Sequence, residues 1–199
     1  MSLSKILIAT GNKGKYREIK EELAKIGVEA VSLQDANVTL ERPEIGETYD
    51  ENARIKAEEG YDKTGLPSLA DDSGLEVDYL DGDPGIHSDR WAGDDVTVSE
   101  RNQLLLEKLE GVPKDERTAR FICDMVLFDD TGQRFTTHGT CEGRIALQPR
   151  GDRGFGYDPI FEVEARDYRT FGELTPRVKQ RISHRALALA SMMENIKQT

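Results

Sequence analysis

Lys5-Ile6-Leu7-Ile8-Ala9-Thr10-Gly11-Asn12-Lys13-Gly14-Lys15 is the stretch that decides how this chain folds. Residues 5–10 are a short continuous apolar run, the pattern of a strand buried among others. The glycine-bearing turn 11–15 breaks it. A helix follows in which Ile19, Leu23 and Ile26 recur at i, i+4 and i+7, with Gly27 at its C′ position. Val28 to Leu33 supplies a second strand. Strand, loop, helix, strand is the opening of a parallel α/β unit.

Further along, residues 34–46 read as an acidic loop. Thr48 and Glu51 have the spacing of a capping box, starting a helix that runs to about Lys63. Leu75, Val77 and Tyr79 alternate as a strand, and residues 81–93 are turn-rich. The next helix carries Leu104, Leu105 and Leu109 on its inner side. Phe121, Cys123, Met125 and Leu127 then alternate on one face of a long strand. The turn Asp129-Asp130-Thr131-Gly132 returns it into a second strand with Phe135 and Thr137, an antiparallel hairpin. Ile160 to Val163 is a short strand, and Thr175-Pro176 is an N-cap and N1 pair. Ser183 caps a final helix with Leu187, Ala190 and Met193. The expected architecture is one α/β domain over residues 1–199, with a mixed central sheet flanked by helices.

The bulk properties narrow the function. No apolar run approaches the ~20 residues needed to span a bilayer, and Met1 leads almost directly into the first strand, leaving no room for a signal peptide. A cytoplasmic enzyme without membrane partners is therefore expected. Cys123 and Cys141 stand at no metal-ligand spacing and read as small buried hydrophobes. The net charge of −11 repels polymeric nucleic acid. A small anion stays possible if lysines, arginines and a metal line its site.

Four clusters carry candidate chemistry. Thr10-Gly11-Asn12-Lys13-Gly14-Lys15 joins a strand to a helix; N–H groups at the helix start and a lysine suit a phosphate, though a plain turn explains the same residues and the P-loop spacing is absent. Of three Asp-Asp pairs, Asp94-Asp95 lies in a polar loop and Asp129-Asp130 in a hairpin turn. Only Asp71-Asp72 lies between strand-like segments, where two carboxylates are costly unless a cation compensates them. Oxygen ligands of that kind suit Mg²⁺. In Arg153-Gly154-Phe155-Gly156-Tyr157-Asp158-Pro159 the glycines leave both faces of Phe155 open, so that a purine can stack there; the alternative is an aromatic plug under a loop. Ser183-His184-Arg185 places positive charge at a helix N-terminus, against the macrodipole, which suggests an anionic or carbonyl-bearing ligand.

Together these stretches resemble one family, the inosine/xanthosine triphosphate pyrophosphatases that remove non-standard purine nucleotides. The resemblance is carried in order by residues 9–15, by Glu51-Asn52-Ala53 with Lys56-Ala57, and by residues 69–75. It continues through Pro84-Gly85 with Ser88, Arg90 and Gly93, then residues 154–161 and Ile182-Ser183-His184-Arg185. Arg177-Val178 departs from it, standing where acidic residues are common.

The resemblance implies two lobes with the active-site cleft between them, a homodimer (through Trp91 or the Phe121 hairpin), and Mg²⁺-dependent hydrolysis of ITP, dITP and XTP to a monophosphate and pyrophosphate. It implies that Thr10 to Lys15, Lys56 and Lys179 hold the triphosphate and that Ser73 touches it. Phe155, Gly156, Tyr157, Asp158, His184 and Arg185 would hold the base, and Glu44, Asp71 and Asp72 would surround Mg²⁺, with Asp72 as general base. Hydrogen-bond donors facing O6 would reject adenine, and a donor near C2 would disfavour guanine. A kinase or nucleotidyl transferase, a nucleotide-binding module without turnover, and a pyrimidine-specific pyrophosphatase remain alternatives at this point.

Overall fold

In the computed structural model, residues 3–93 and 95–198 are described. Asp94 of the Asp94-Asp95 pair, and Met1 and Ser2 of the amino-terminal reading, lie outside them. The strands are β1 (Lys5–Ile8), β2 (Glu29–Ser32), β3 (Ser68–Val77), β4 (Pro84–Gly85), β5 (Thr118–Phe128), β6 (Arg134–Ile145), β7 (Phe161–Val163) and β8 (Arg169–Thr170). The helices are α1 (Lys13–Lys25), α2 (Tyr49–Thr64), α3 (Val98–Lys108), α4 (Pro176–Ile182) and α5 (His184–Gln198).

The strands form one mixed sheet in the order β2-β1-β3-β5-β6-β7-β8, with β4 paired to β3. β1 is parallel to both β2 and β3, with Leu7 opposite Ser68 and Ile8 opposite Leu69. The β3–β4, β6–β7 and β7–β8 pairs are antiparallel. The chain divides into two compact units, and β3, β5 and β6 contribute residues to each. The first unit comprises residues 1–72, 123–139 and 185–199; the second comprises 73–122 and 140–184.

In the first unit, Ile6 and Ile8 of β1 meet Ile19 and Leu23 of α1, Cys123, Met125 and Leu127 of β5, and Ala188, Leu189, Met192 and Ile196 of α5. α1 ends in a Schellman motif: Gly27 (φ +75°) sits past the cap, and the amides of Gly27 and Val28 donate to the carbonyls of Ala24 and Leu23. α2 carries two stripes. Ala53, Ala57 and Gly60 are small and buried, and a Cβ on Gly60 would come within 2.5 Å of Ser68 Oγ and 2.9 Å of Leu7 Cδ2. That closeness explains the missing side chains. The adjacent stripe, about a quarter-turn round the helix, holds Asn52, Lys56, Glu59 and Lys63, of which Asn52 and Glu59 are buried.

In the second unit, Leu105, Leu106 and Leu109 pack with Leu75, Val77, Phe121, Tyr157, Phe161 and Phe171.

Several expectations need correction. Leu106, not Leu104, completes the inner face of α3. Leu187 and Ala190 are exposed; the buried face of α5 is the same helical stripe displaced to Ala188, Leu189, Met192 and Ile196. Both sides of each helix offer apolar residues there, so periodicity alone does not choose the phase. The Thr48–Glu51 box closes on one side only: Thr48 Oγ1 accepts from the Glu51 amide, but the Glu51 carboxylate takes the Glu47 amide. β3 runs unbroken through Asp71-Asp72-Ser73-Gly74, so the two aspartates sit inside a ten-residue strand and not between two shorter ones. Tyr79 falls beyond it, in an exposed 3₁₀ turn.

Candidate active site

Each unit holds a cluster of buried charge. In the first, β1 ends at Ile8, and the chain turns through Thr10 and Gly11 into α1. Asn12 caps α1, its Oδ1 accepting from the amides of Gly14 (2.8 Å) and Lys15 (3.1 Å), while its own amide donates to Thr10 Oγ1. Two of the helix-start N–H groups expected to meet a phosphate are thereby engaged by the cap. Lys13 is exposed, whereas Lys15 turns inward and is buried.

Asp71 is fully buried on β3, past the end of its pairing with β1. This is the carboxyl end of parallel strands, where α/β proteins place ligands. Its Oδ2 receives Lys15 Nζ at 3.2 Å and Arg185 Nε at 3.0 Å. Burial works to push the Asp71 carboxyl up, but Lys15, Arg185 and Lys56 together outweigh it and hold the group well below the ordinary range. Arg185 is just as buried and also bonds Glu18 Oε2 at 2.7 Å; its two carboxylates keep it charged despite burial. Asp71 Oδ1 has no hydrogen-bond partner among the described residues. Cys123 lies beneath, its Sγ 3.9 Å from Asp71, and burial pushes that thiol far up, so it is inert.

Asp72 faces a different environment. Lys56 Nζ stands 3.0 Å from Asp72 Oδ1 and 3.0 Å from Glu44 Oε2, and Asn52 Nδ2 lies 3.4 Å from the other Asp72 oxygen. Burial pushes the Asp72 carboxyl up, the Glu44 charge adds to it, and Lys56 and Lys15 only partly offset them. Lys56 is itself raised: burial opposes its charge, but Asp72, Asp71 and Glu44 together favour it more strongly. One ammonium thus serves several carboxylates, and each carboxylate has only a share of it.

Glu44, Asp71 and Asp72 offer an oxygen-only donor set, with one buried carboxylate oxygen unengaged and Lys56 already bridging the other two groups as a cation. That chemistry fits a hard divalent ion. Among the described residues no three carboxylate, histidine or cysteine groups converge closely enough to form a metal cage.

The second cluster surrounds Phe155. Gly154 has φ +79°, and a Cβ there would fall 1.7 Å from Asp158 Oδ2, so only glycine fits. Asp158 Oδ2 accepts the Phe155 amide at 2.9 Å and Lys179 Nζ at 2.6 Å. Lys179 Nζ also lies 4.4 Å from the Phe155 ring centroid. One face of Phe155 is therefore occupied by an ammonium, correcting the expectation that the glycines leave both faces open. Asn102 Nδ2 donates to the Gly156 carbonyl at 3.1 Å, tying the loop to α3. Tyr157 is interior: its hydroxyl donates to the Ser88 carbonyl and Arg101 covers its ring, so it seats the loop. His184 is buried with its ring stacked on Phe121, 4.6 Å between centroids. Ser73 follows Asp72 on β3 and is half-buried.

The Arg185 guanidinium, placed against the local dipole, thus has an internal explanation in Asp71 and Glu18. Glu18 and Glu59 were not singled out by the sequence, and Asn52 entered only as part of the resemblance, without a role. Asn52 and Lys56 stand at i and i+4 on α2, a spacing that could have paired them.

An α/β chain with lysine-matched carboxylates at the carboxyl ends of parallel strands is built to handle an anionic, phosphate-bearing ligand. The chain belongs to the Ham1 family, which matches it over residues 6–195. It is 46% identical to a dITP/XTP pyrophosphatase of Vibrio parahaemolyticus, over 98% of this chain and 97% of that protein. It is 45% identical to a dITP/XTP pyrophosphatase of Exiguobacterium sibiricum over 94% of each. A HAM1 protein of Coxiella burnetii superposes with a TM-score of 0.88 at 39% identity, covering 99% of this chain and 100% of that one.

Proposed function

We propose that this protein hydrolyses the α–β phosphoanhydride of non-standard purine nucleoside triphosphates (dITP, ITP and XTP), releasing a nucleoside monophosphate and pyrophosphate and so clearing them from the nucleotide pool. The observation that carries the reading is the pair of adjacent buried aspartates whose environments drive their carboxyl groups apart, Asp71 down and Asp72 up. Paired acids separated in this way mark a division of roles. Asp71 stays ionised and keeps Lys15 and Arg185 in place. Asp72 is the better proton acceptor and takes the proton of the attacking water.

Glu44, Asp72 and the unengaged oxygen of Asp71 would hold Mg²⁺, which when bound neutralises phosphate charge and acidifies water. Lys15 and Lys56 supply positive charge for the triphosphate, with Asn12 fixing the turn that carries Lys15. Base selection is assigned to the Phe155 loop, where backbone amides offer donors that a 6-oxo purine can accept and an adenine amino group cannot, and Lys179 beside it is a further cationic contact for the triphosphate. The names of the relatives support the substrate class.

A product assay tests this with Mg²⁺ and dITP, XTP, ITP, dGTP and ATP side by side. The expected products are monophosphate and pyrophosphate from the first three. Asp72→Asn should lower kcat by about 10²–10⁴, as for loss of a general base. Release of inorganic phosphate and a diphosphate would refute cleavage between the α and β phosphates.

A further inference from the structure

Glu59 is a buried carboxylate that the proposed chemistry does not use. It lies on α2, 2% exposed, and accepts the backbone amides of Glu41 at 2.7 Å and Arg42 at 3.0 Å, with Lys63 Nζ at 2.9 Å. Lys63 also holds the Thr39 carbonyl at 2.7 Å and the Glu41 carboxylate at 3.0 Å. Two residues beyond Glu44 the loop is caught again: the Gly46 amide donates to Asn52 Oδ1 at 2.9 Å. A Cβ on Gly46 would stand 2.6 Å from Glu51 Cβ, so the backbone lies directly on the helix there.

The two anchors, Asn52 and Glu59, are seven positions apart on α2. At ~1.5 Å per residue they are separated by ~10.5 Å along the helix axis. The segment Arg42–Gly46 has four Cα–Cα steps and reaches at most ~14 Å. The tether has little slack, Pro43 stiffens it further, and Glu44 is its midpoint. Lys56, which bonds Glu44 at 3.0 Å, projects from α2 between the two anchors.

We propose that Glu59 is a positioning residue that fixes the carboxylate of Glu44 for metal binding by clamping the loop backbone at Glu41 and Arg42. The inference rests on the reading of Glu44 as a Mg²⁺ ligand. Without the clamp, Glu44 hangs on a longer and looser loop, and the ordering that Glu59 supplies has to come from the metal itself. The defect is one of Mg²⁺ affinity and not of the chemical step.

The test compares Glu59→Gln, Glu59→Asp, Glu44→Gln and, as a control on the same helix, Asp50→Asn, whose carboxylate meets Arg134 of β6 and not the loop. Amide hydrogen exchange in metal-free protein reads the clamp directly. Glu41 and Arg42 should exchange about tenfold faster in Glu59→Gln, the equivalent of one lost charge-assisted hydrogen bond. The Mg²⁺ concentration for half-maximal dITP hydrolysis should rise roughly five- to tenfold, with kcat at saturating Mg²⁺ within about twofold. Glu59→Asp keeps the charge with a shorter reach and should fall between, which keeps the test open if Glu59→Gln fails to fold. Asp50→Asn should change neither quantity. Faster exchange with an unmoved Mg²⁺ requirement overturns the proposal. If Glu44→Gln still raises that requirement, only the clamp falls; if it does not, the reading of Glu44 as a ligand falls with it.

Discussion

Replacing one or the other of two adjacent aspartates by asparagine should have very unequal consequences for stability. Asp71 is fully buried between Lys15 and Arg185, whose side chains are 8% and 3% exposed. Asp71→Asn leaves two buried cations facing a neutral amide. Breaking a buried pair by removing one partner costs ~3–5 kcal/mol. The amide oxygen still accepts from Arg185, and Arg185 keeps Glu18, so the low end, ~3 kcal/mol, is expected. With a urea m-value of ~2–3 kcal/mol/M, the unfolding midpoint falls by roughly 1–1.5 M. Burial, with Glu44, pushes the Asp72 carboxyl up by more than its shares of Lys56 and Lys15 hold it down. Asp72→Asn therefore relieves a cost, and its unfolding free energy should stay within about 0.5 kcal/mol of the parent or rise. Lys56 still has Glu44 at 3.0 Å. Equilibrium urea unfolding in metal-free buffer, followed by the fluorescence of Trp91 and by circular dichroism, measures both. Equal losses for the two variants, or less than ~1 kcal/mol for Asp71→Asn, would refute the assignment of a keystone role to Asp71 alone.

Other expectations follow from single contacts. Gly154→Ala puts a methyl group on the Asp158 carboxylate at a positive φ; the KM for dITP should rise by about tenfold or more with the far-ultraviolet spectrum unchanged, the strain alone being ~1–2 kcal/mol. Gly60→Ala should cost ~1–3 kcal/mol in the same urea assay, since α2 cannot back away from Ser68 and Leu7 without opening the first unit. Glu162 is buried beneath Arg144 (2.6 Å), Arg150 (2.8 Å) and Lys114 (3.2 Å). Burial pushes its carboxyl up, but these cations outweigh burial and hold it low. Its contribution is thus complete above its unfolded value of about 4.5 and is lost as the pH falls through the folded one. Thermal melts should show the parent losing stability below that pH, and Glu162→Gln a flatter profile starting from a lower melting temperature at pH 7.

The strand-turn-helix opening, the Thr175-Pro176 start of α4 and the hairpin at Asp129–Gly132 were legible in the sequence because each depends on residues within a few positions of one another. The Asp71-Asp72 pair was legible for a related reason: two carboxylates in an apolar stretch demand compensation wherever the chain goes. The sequence could not say where that compensation comes from. Lys15 and Arg185 reach Asp71 from positions 56 before and 114 after it, and Glu18 meets Arg185 across 167 residues. The arginine that looked misplaced at a helix start is a counter-ion to a distant strand. The phase of α5 was likewise decided by packing, because a residue's own hydrophobicity does not say which of two apolar faces finds a partner. Local spacing determined the elements and named the ionisable groups. Only tertiary structure decided which of those groups met, because the strength of a buried charge pair depends on distance in space and not along the chain.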